Sequence, residues 1–458
     1  MTLDSLFRES TPVVPVRGVH LDLKGTPPTF DRLLRLLEVF AALRYNAVLV
    51  EWEDTFPWTT DERFRCETAY SPEQVGRFHA AAARLGLEVI PLVQCLGHME
   101  TWLSPRGYEH LREVPDRSDV LNPLAEGARD LVGRNVANVL ALSPDVRHFH
   151  LGGDEAWSFG MHPDTKAFIA EHGKGALYLQ HVEPILDELN ARGIRPILWH
   201  DMMQDWDGDS LKRLAAKADL CVWGYRGRPA TTEHHHKVAV IERFAACGVP
   251  MWGAGAYKGA SGHSADLTDN DIHTDNAVGW AEAAGKYGLK GVFVTAWSRY
   301  STHNVQCETI DASLDSLVHV AVILHDGRPA EGGMAACAEA LGELGERGRF
   351  DACHAAVAEL SAARKAGWAM VAQLREQIVT ATQDARRRAG SPIFASLRRL
   401  AATVEQADAA AEKVRQAFTR LVEPIWIERY LAERIESLRE ELGELAERVR
   451  QLDPARGG

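Results

Sequence analysis

Two carboxylates stand side by side in the string His148-Phe149-His150-Leu151-Gly152-Gly153-Asp154-Glu155-Ala156-Trp157. The apolar run from Val146 to Leu151 reads as a buried strand that delivers Asp154 and Glu155 to its C-terminal end. The two glycines before them let backbone or a bound molecule approach closely. Carboxyl groups so placed can donate and accept protons at a bound molecule, or anchor it by charge. A polar turn at a strand end is the plainer alternative, and the surrounding elements decide between them.

Seven further runs of the same character are spaced along the chain, at residues 16–23, 47–52, 87–94, 195–201, 219–225, 249–255 and 290–297. Helical patterns separate most of them. Apolar residues at 33, 34, 36, 37, 40 and 43 mark one, Ser71-Pro72-Glu73 caps a second, and a third covers about 124–142. Eight short strands alternating with helices predict an α/β fold, a (β/α)8 TIM barrel over 13–328, preceded by a short segment 1–12. A doubly wound sheet is the alternative. It is disfavoured by the count of eight and by the lack of a glycine-rich dinucleotide turn after the first strand.

In such a barrel the active site forms at the C-terminal ends of the strands. Glu51-Trp52-Glu53-Asp54, Gln94 to Glu100, Asp154-Glu155, His200-Asp201, Trp223 to Arg226, Trp252 to Lys258 and Trp297 to Tyr300 all fall there, whereas Arg17 lies at the start of its strand. From 329 to 458 the composition turns to Ala, Glu, Leu and Arg in helical patterns, broken at Gly390-Ser391-Pro392. Apolar positions 431, 435, 438, 442, 445, 449 and 452 form a coiled-coil-like seam within 428–452. That seam suits a homodimer or packing on the protein's own body.

The net charge of −13 argues against nucleic acid or an anionic membrane as partner. No signal peptide or membrane-spanning run is read. Seven scattered cysteines without a CxxC pair fit a reducing, cytoplasmic setting, and neither a metal nor a cofactor is expected. His234-His235-His236 reads as an exposed loop, since consecutive side chains diverge. The acidic cluster at 51–54 reads as a pocket rim or a solvated loop, with cation binding as the alternative.

Adjacent carboxylates cannot flank a scissile glycosidic bond from opposite sides. They can act on different parts of one substrate: Glu155 as a general acid whose pKa an apolar rim raises, and Asp154 as an ionised group polarising a nucleophile carried by the substrate. The His-x-Gly-Gly-Asp-Glu string at the fourth strand resembles the signature of glycoside hydrolase family 20, the β-N-acetylhexosaminidases. Leu96-Gly97-His98-Met99-Glu100, Leu111-Arg112-Glu113, Leu121-Asn122-Pro123 and the stretch from Ala296-Trp297 to Cys307-Glu308 are similar to its hexosaminidase D branch.

The resemblance implies a retaining exo-hydrolase acting on a small molecule or oligosaccharide with a terminal N-acetylhexosamine. Glu155 would be acid and then base. Asp154 would orient the 2-acetamido group, and Tyr225 or Tyr257, the former ending a strand, would bind its oxygen. Arg17 and Glu308 would bind sugar hydroxyls, Trp297 would stack on the ring, and Trp223 and Trp252 would wall the acetamido methyl. His98 and His150 are candidates to orient the carboxylates or the sugar, or are structural histidines. Asp22 and Asp201 are candidate supports or strand-end caps. Larger family members carry a β-rich domain before the barrel, whereas about a dozen residues precede the first strand here. A barrel that binds amino sugars without hydrolysing them and a metal-dependent barrel hydrolase are the competing readings.

Overall fold

The computed structural model describes residues 2–229, 238–262, 265–298, 307–384 and 391–452. His234-His235-His236, Arg299-Tyr300 and Gly390 lie outside the described residues. Eight parallel strands close in sequence order: β1 (Val16–Asp22), β2 (Ala47–Glu51), β3 (Glu88–Leu92), β4 (His148–His150), β5 (Arg195–Trp199), β6 (Asp219–Trp223), β7 (Met251–Lys258) and β8 (Gly291–Ala296). The ring closes where Val16 to Val19 of β1 pair with Gly291 to Val294 of β8. The fold is a TIM barrel.

Inward side chains, among them Leu49, Ile90, Ile197, Trp199, Trp252 and Phe293, fill the barrel as a packed interior. Outward ones join the helices in a larger core. Helix starts follow their caps. Ser71 and Gln74 exchange hydrogen bonds in a complete capping box, with Pro72 in the first helical position.

β7 departs from expectation. It starts at Met251 and runs to Lys258, beyond the predicted end at Gly255. A Cβ at Gly253 would lie 2.5 Å from Trp280 of the covering helix Asn270–Tyr287, so glycine lets that helix sit close without ending the strand. Trp252 is thereby near the start of its strand, away from the end where a site forms.

The C-terminal helices Arg347–Gln383, Ile393–Phe418 and Pro424–Leu452 pack on one another. Of the seam, Leu431, Ile435, Leu438, Leu445 and Val449 are buried, with Leu442 and Leu452 packed beside them. The seam therefore faces inward within a single chain. A buried ion pair fastens this bundle to the barrel: Arg32, which also meets Asp311 at 2.7 Å, reaches Glu346 at the start of helix Arg347–Gln383 at 2.9 Å. Trp426 Nε1 donates to Thr68 Oγ1 at 2.6 Å.

Candidate active site

Beyond β4 the chain leaves the barrel through left-handed backbone: φ is +58° at Gly152, +82° at Gly153 and +46° at Glu155. Glycine accommodates the first two readily, but Glu155 adopts this conformation only because its surroundings enforce it. Gly97, after β3, explains the interlock with the neighbouring loop, because a Cβ there would sit 1.8 Å from the Asp154 carbonyl oxygen. Gln94 Oε1 accepts the Gly153 N–H at 3.0 Å, and its Nε2 donates to Glu51 Oε1 at 3.4 Å. The Glu155 N–H donates to Asp201 Oδ2 at 2.9 Å. His98 and Glu53, at the neighbouring strand ends, are also left-handed, with φ of +53° and +44°.

Asp154 and Glu155 differ in environment although adjacent. Asp154 is buried, and burial pushes its carboxyl up to about 6, against the opposing pull of His98. The Glu155 side chain is 35% exposed and open to the cavity. His98 Nε2 lies 3.4 Å from an oxygen of each carboxyl. Burial alone would lower that imidazole, but the Asp154 charge and the hydrogen bonds to both carboxyls raise it well above the usual histidine range. The other Asp154 oxygen, Oδ1, is buried without a hydrogen-bond partner. An unpaired buried acceptor is costly, so Oδ1 is primed for a donor supplied by a ligand.

Across the cavity is a second charged group. Lys24 Nζ donates to Asp22 Oδ1 at 2.8 Å and lies 3.3 Å from Glu51 and 3.5 Å from Glu53. Burial disfavours the ammonium, but Asp22, Glu51 and Glu53 outweigh it and raise Lys24 well above its usual range. Glu51 also meets His20 Nε2 at 3.2 Å. Burial would raise Glu51; Lys24 and His20 instead hold it well below the usual carboxylate range.

Lys24, Glu51, Gln94, His98, Asp154, Glu155, Trp223, Tyr225 and Trp297 line one cavity at the C-terminal ends of the strands. One side is polar and the other aromatic. Trp223 stacks on Tyr225 at 5.4 Å between centroids, and Tyr225 meets Trp297 edge-on at 5.9 Å. The cavity thus offers two carboxyls at a strand end, a hydroxyl-binding edge and rigid apolar walls for a ring.

Residues 15–310 match the catalytic domain of glycosyl hydrolase family 20. The chain belongs to glycoside hydrolase family 20. A protein named Hexosaminidase D from Homo sapiens is 35% identical over 319 residues, covering 67% of this chain and 65% of its own length. Its namesake from Bos taurus is 35% identical over 322 residues, covering 68% of this chain and 92% of its own. The match thus spans just under two thirds of the human relative. The X-ray structure of Flavobacterium johnsoniae chitobiase superposes with a TM-score of 0.56 at 14% identity, covering 95% of this chain and 78% of that one, a likeness of fold.

In this family 20 barrel, six of the anticipated site residues meet in the cavity: Asp154, Glu155, His98, Trp223, Tyr225 and Trp297. Five do not. Arg17 is at the N-terminal end of β1, where its guanidinium donates to the carbonyls of Arg44, Val14 and Pro15, and it does not line this cavity. Trp252 fills the barrel interior, its Nε1 donating to Asp219 at 2.9 Å. Tyr257, one position out of phase with Trp252 and Ala254, points into the core under the helices. Tyr225 lines the cavity and Tyr257 does not. His150 is fully buried against Trp199, and its Nδ1 accepts the Gly152 N–H at 2.9 Å. Burial lowers its pKa to about 3, so it stays neutral. Glu308 is buried away from the cavity lining, accepting from Thr268 Oγ1 at 2.6 Å and Ser313 Oγ at 3.3 Å.

Sequence reasoning missed Lys24, and it placed Glu51 and Gln94 at the strand ends without giving either a role. Lys24 was legible from position alone, being two residues beyond Asp22 at the C-terminal end of β1.

Proposed function

We propose that this family 20 member removes terminal non-reducing GlcNAc or GalNAc with retention, using the substrate's own acetamide as nucleophile. The observation that carries the reading is Asp154 Oδ1, a buried, unpartnered acceptor beside Glu155, whose carboxyl opens to the cavity. The acetamide N–H would donate to it. So oriented, the acetamide oxygen attacks the anomeric carbon while Glu155 protonates the departing glycosidic oxygen, and a cyclic oxazolinium forms. Glu155, now a carboxylate, takes a proton from the water that attacks the anomeric carbon, reopening the ring. Tyr225 donates to the acetamide oxygen, Trp223 walls its methyl and Trp297 stacks on the sugar face. Lys24, Glu51 and Gln94 form the hydroxyl-binding edge in place of Arg17 and Glu308.

The shared name of the human and bovine relatives supports this substrate class. Among the described residues no helix is long and apolar enough to cross a membrane. The seven cysteines, all free thiols and five of them buried, support a cytoplasmic setting.

Nitrophenyl N-acetyl-β-glucosaminide and -galactosaminide, assayed with wild type and Glu155→Gln and with the anomer of the first product followed by NMR, test the reading. A β-configured first product and loss of turnover in Asp154→Asn are expected. No hydrolysis of either substrate, inversion, or near-normal turnover by Asp154→Asn would each overturn it. A full loss of activity to a chelator would favour the metal-dependent alternative.

A further inference from the structure

We infer that Asp201 is a positioning residue which locks the proton-donating loop to the aromatic wall of the cavity. The inference rests on the proposed roles of Glu155 and Trp223. β5 ends at Trp199, and Asp201 opens the short 3-10 turn Asp201–Met203. Its side chain is buried and does not line the cavity. Each carboxylate oxygen takes one donor from a different strand end. Oδ2 accepts the Glu155 N–H at 2.9 Å, and Oδ1 accepts the Trp223 indole N–H at 3.0 Å.

One planar, rigid group therefore fixes two working parts relative to each other. The Glu155 end needs such a lock, because φ of +46° is a conformation that relaxes unless its surroundings hold it. A charged acceptor on that residue's own N–H is the most direct hold available. The Trp223 end carries the signal onward, since its indole lies nearly parallel to Tyr225, at 16°. A substrate acetamide seated against Trp223 and Tyr225 thus settles the same carboxylate that aims Glu155. Acid placement and recognition of the 2-acetamido group become one event, without Asp201 touching substrate.

Asparagine at this position separates the lock from mere bulk. Its side chain has one acceptor oxygen and one donor NH₂, so it can serve only one of the two N–H groups. Asp201→Asn, Glu155→Gln and the double variant are assayed on nitrophenyl and methyl N-acetyl-β-glucosaminide, a good and a poor leaving group. Asp201→Asn is expected to lower kcat roughly 10- to 100-fold on the methyl glycoside, the scale of a small misplacement of a reacting group, with little change on the nitrophenyl one. On the methyl glycoside the double variant should be no slower than Glu155→Gln alone, because both changes remove the same proton transfer. Equal losses on both substrates, losses that multiply in the double variant, or no loss at all would overturn the inference. Should Asp201→Asn not fold, Trp223→Phe removes the donor at Oδ1 together with part of the acetamide wall, so the ratio of rates on the two leaving groups is read and not the absolute rate. It should show the same leaving-group dependence to a smaller degree, and a flat response overturns the coupling. An inactive wild type would instead sink the functional reading itself.

Discussion

Asp154 carries the sharpest expectation at the scale of single residues. Its carboxyl, pushed up to about 6 by burial, takes up a proton at a higher pH than an unfolded aspartate. Turnover that needs the carboxylate should fall as pH drops through about 6. Stability runs the opposite way: the ionised, buried form is disfavoured, so a penalty grows as pH rises from about 4 to about 6 and persists above. Asp154→Asn should therefore match or exceed the wild-type unfolding temperature at pH 7 while losing activity, and the excess should vanish near pH 4. Scanning calorimetry at the two pH values checks this. His98 opposes the rise in Asp154, so His98→Gln should move the acidic limb of kcat/KM to higher pH. A limb that stayed in place would remove His98 from the pair. Glu155 and Asp154 were legible because two carboxylates after two glycines have few structural uses. Arg17 was misleading because a cation at the wrong end of a strand finds carbonyl groups instead of ligand.

Strands and their loops set the next scale, where small residues decide. Gly97→Ala would drive a Cβ into the Asp154 carbonyl, 1.8 Å away, and that carbonyl is backbone and cannot swing aside. Turnover should fall on the order of 100-fold, with about 1–3 kcal/mol of lost stability. Steady-state kinetics and urea unfolding would read the two effects separately, and unchanged kinetics would detach the β3 loop from the site. Lys24→Met leaves Asp22, Glu51 and Glu53 without their shared cation. Breaking a buried ion group in this way costs about 3–5 kcal/mol, and the KM for sugar should rise with it. The eight strands were legible because buried β-branched runs bounded by polar clusters have one common meaning. Facing was harder: Tyr257 and Trp252 belong to the same strand, but two-residue periodicity sends one to the helices and the other to the interior. The extent of β7 depends on Gly253 accommodating Trp280, a contact remote in sequence.

For the whole molecule, the helical bundle and the barrel behave as one packed body. Leu438 sits where a Cβ on Gly367 would come within 2.6 Å of its side chain, so the two helices meet at glycine distance. Leu438→Ala should cost about 2–5 kcal/mol in denaturant unfolding while leaving KM for a nitrophenyl substrate unaltered. A changed KM would show that the bundle shapes the cavity. The seven-residue rhythm of the last helix was visible in the sequence. What covers its seam was not, because a heptad pattern states which face is buried and is silent on whether the partner helix belongs to the same chain.

Glu53, His98 and Glu155 share one costly habit, a left-handed backbone at a residue that is not glycine. Each such residue raises the free energy of the folded state by on the order of 1–3 kcal/mol. Selection in the laboratory for heat resistance alone, blind to turnover, should therefore drift toward glycine or asparagine at these positions and disarm the enzyme as it hardens. The direct comparison is Glu155→Gly against Glu155→Ala. Both are expected to lose turnover, and the glycine variant should unfold at the higher temperature.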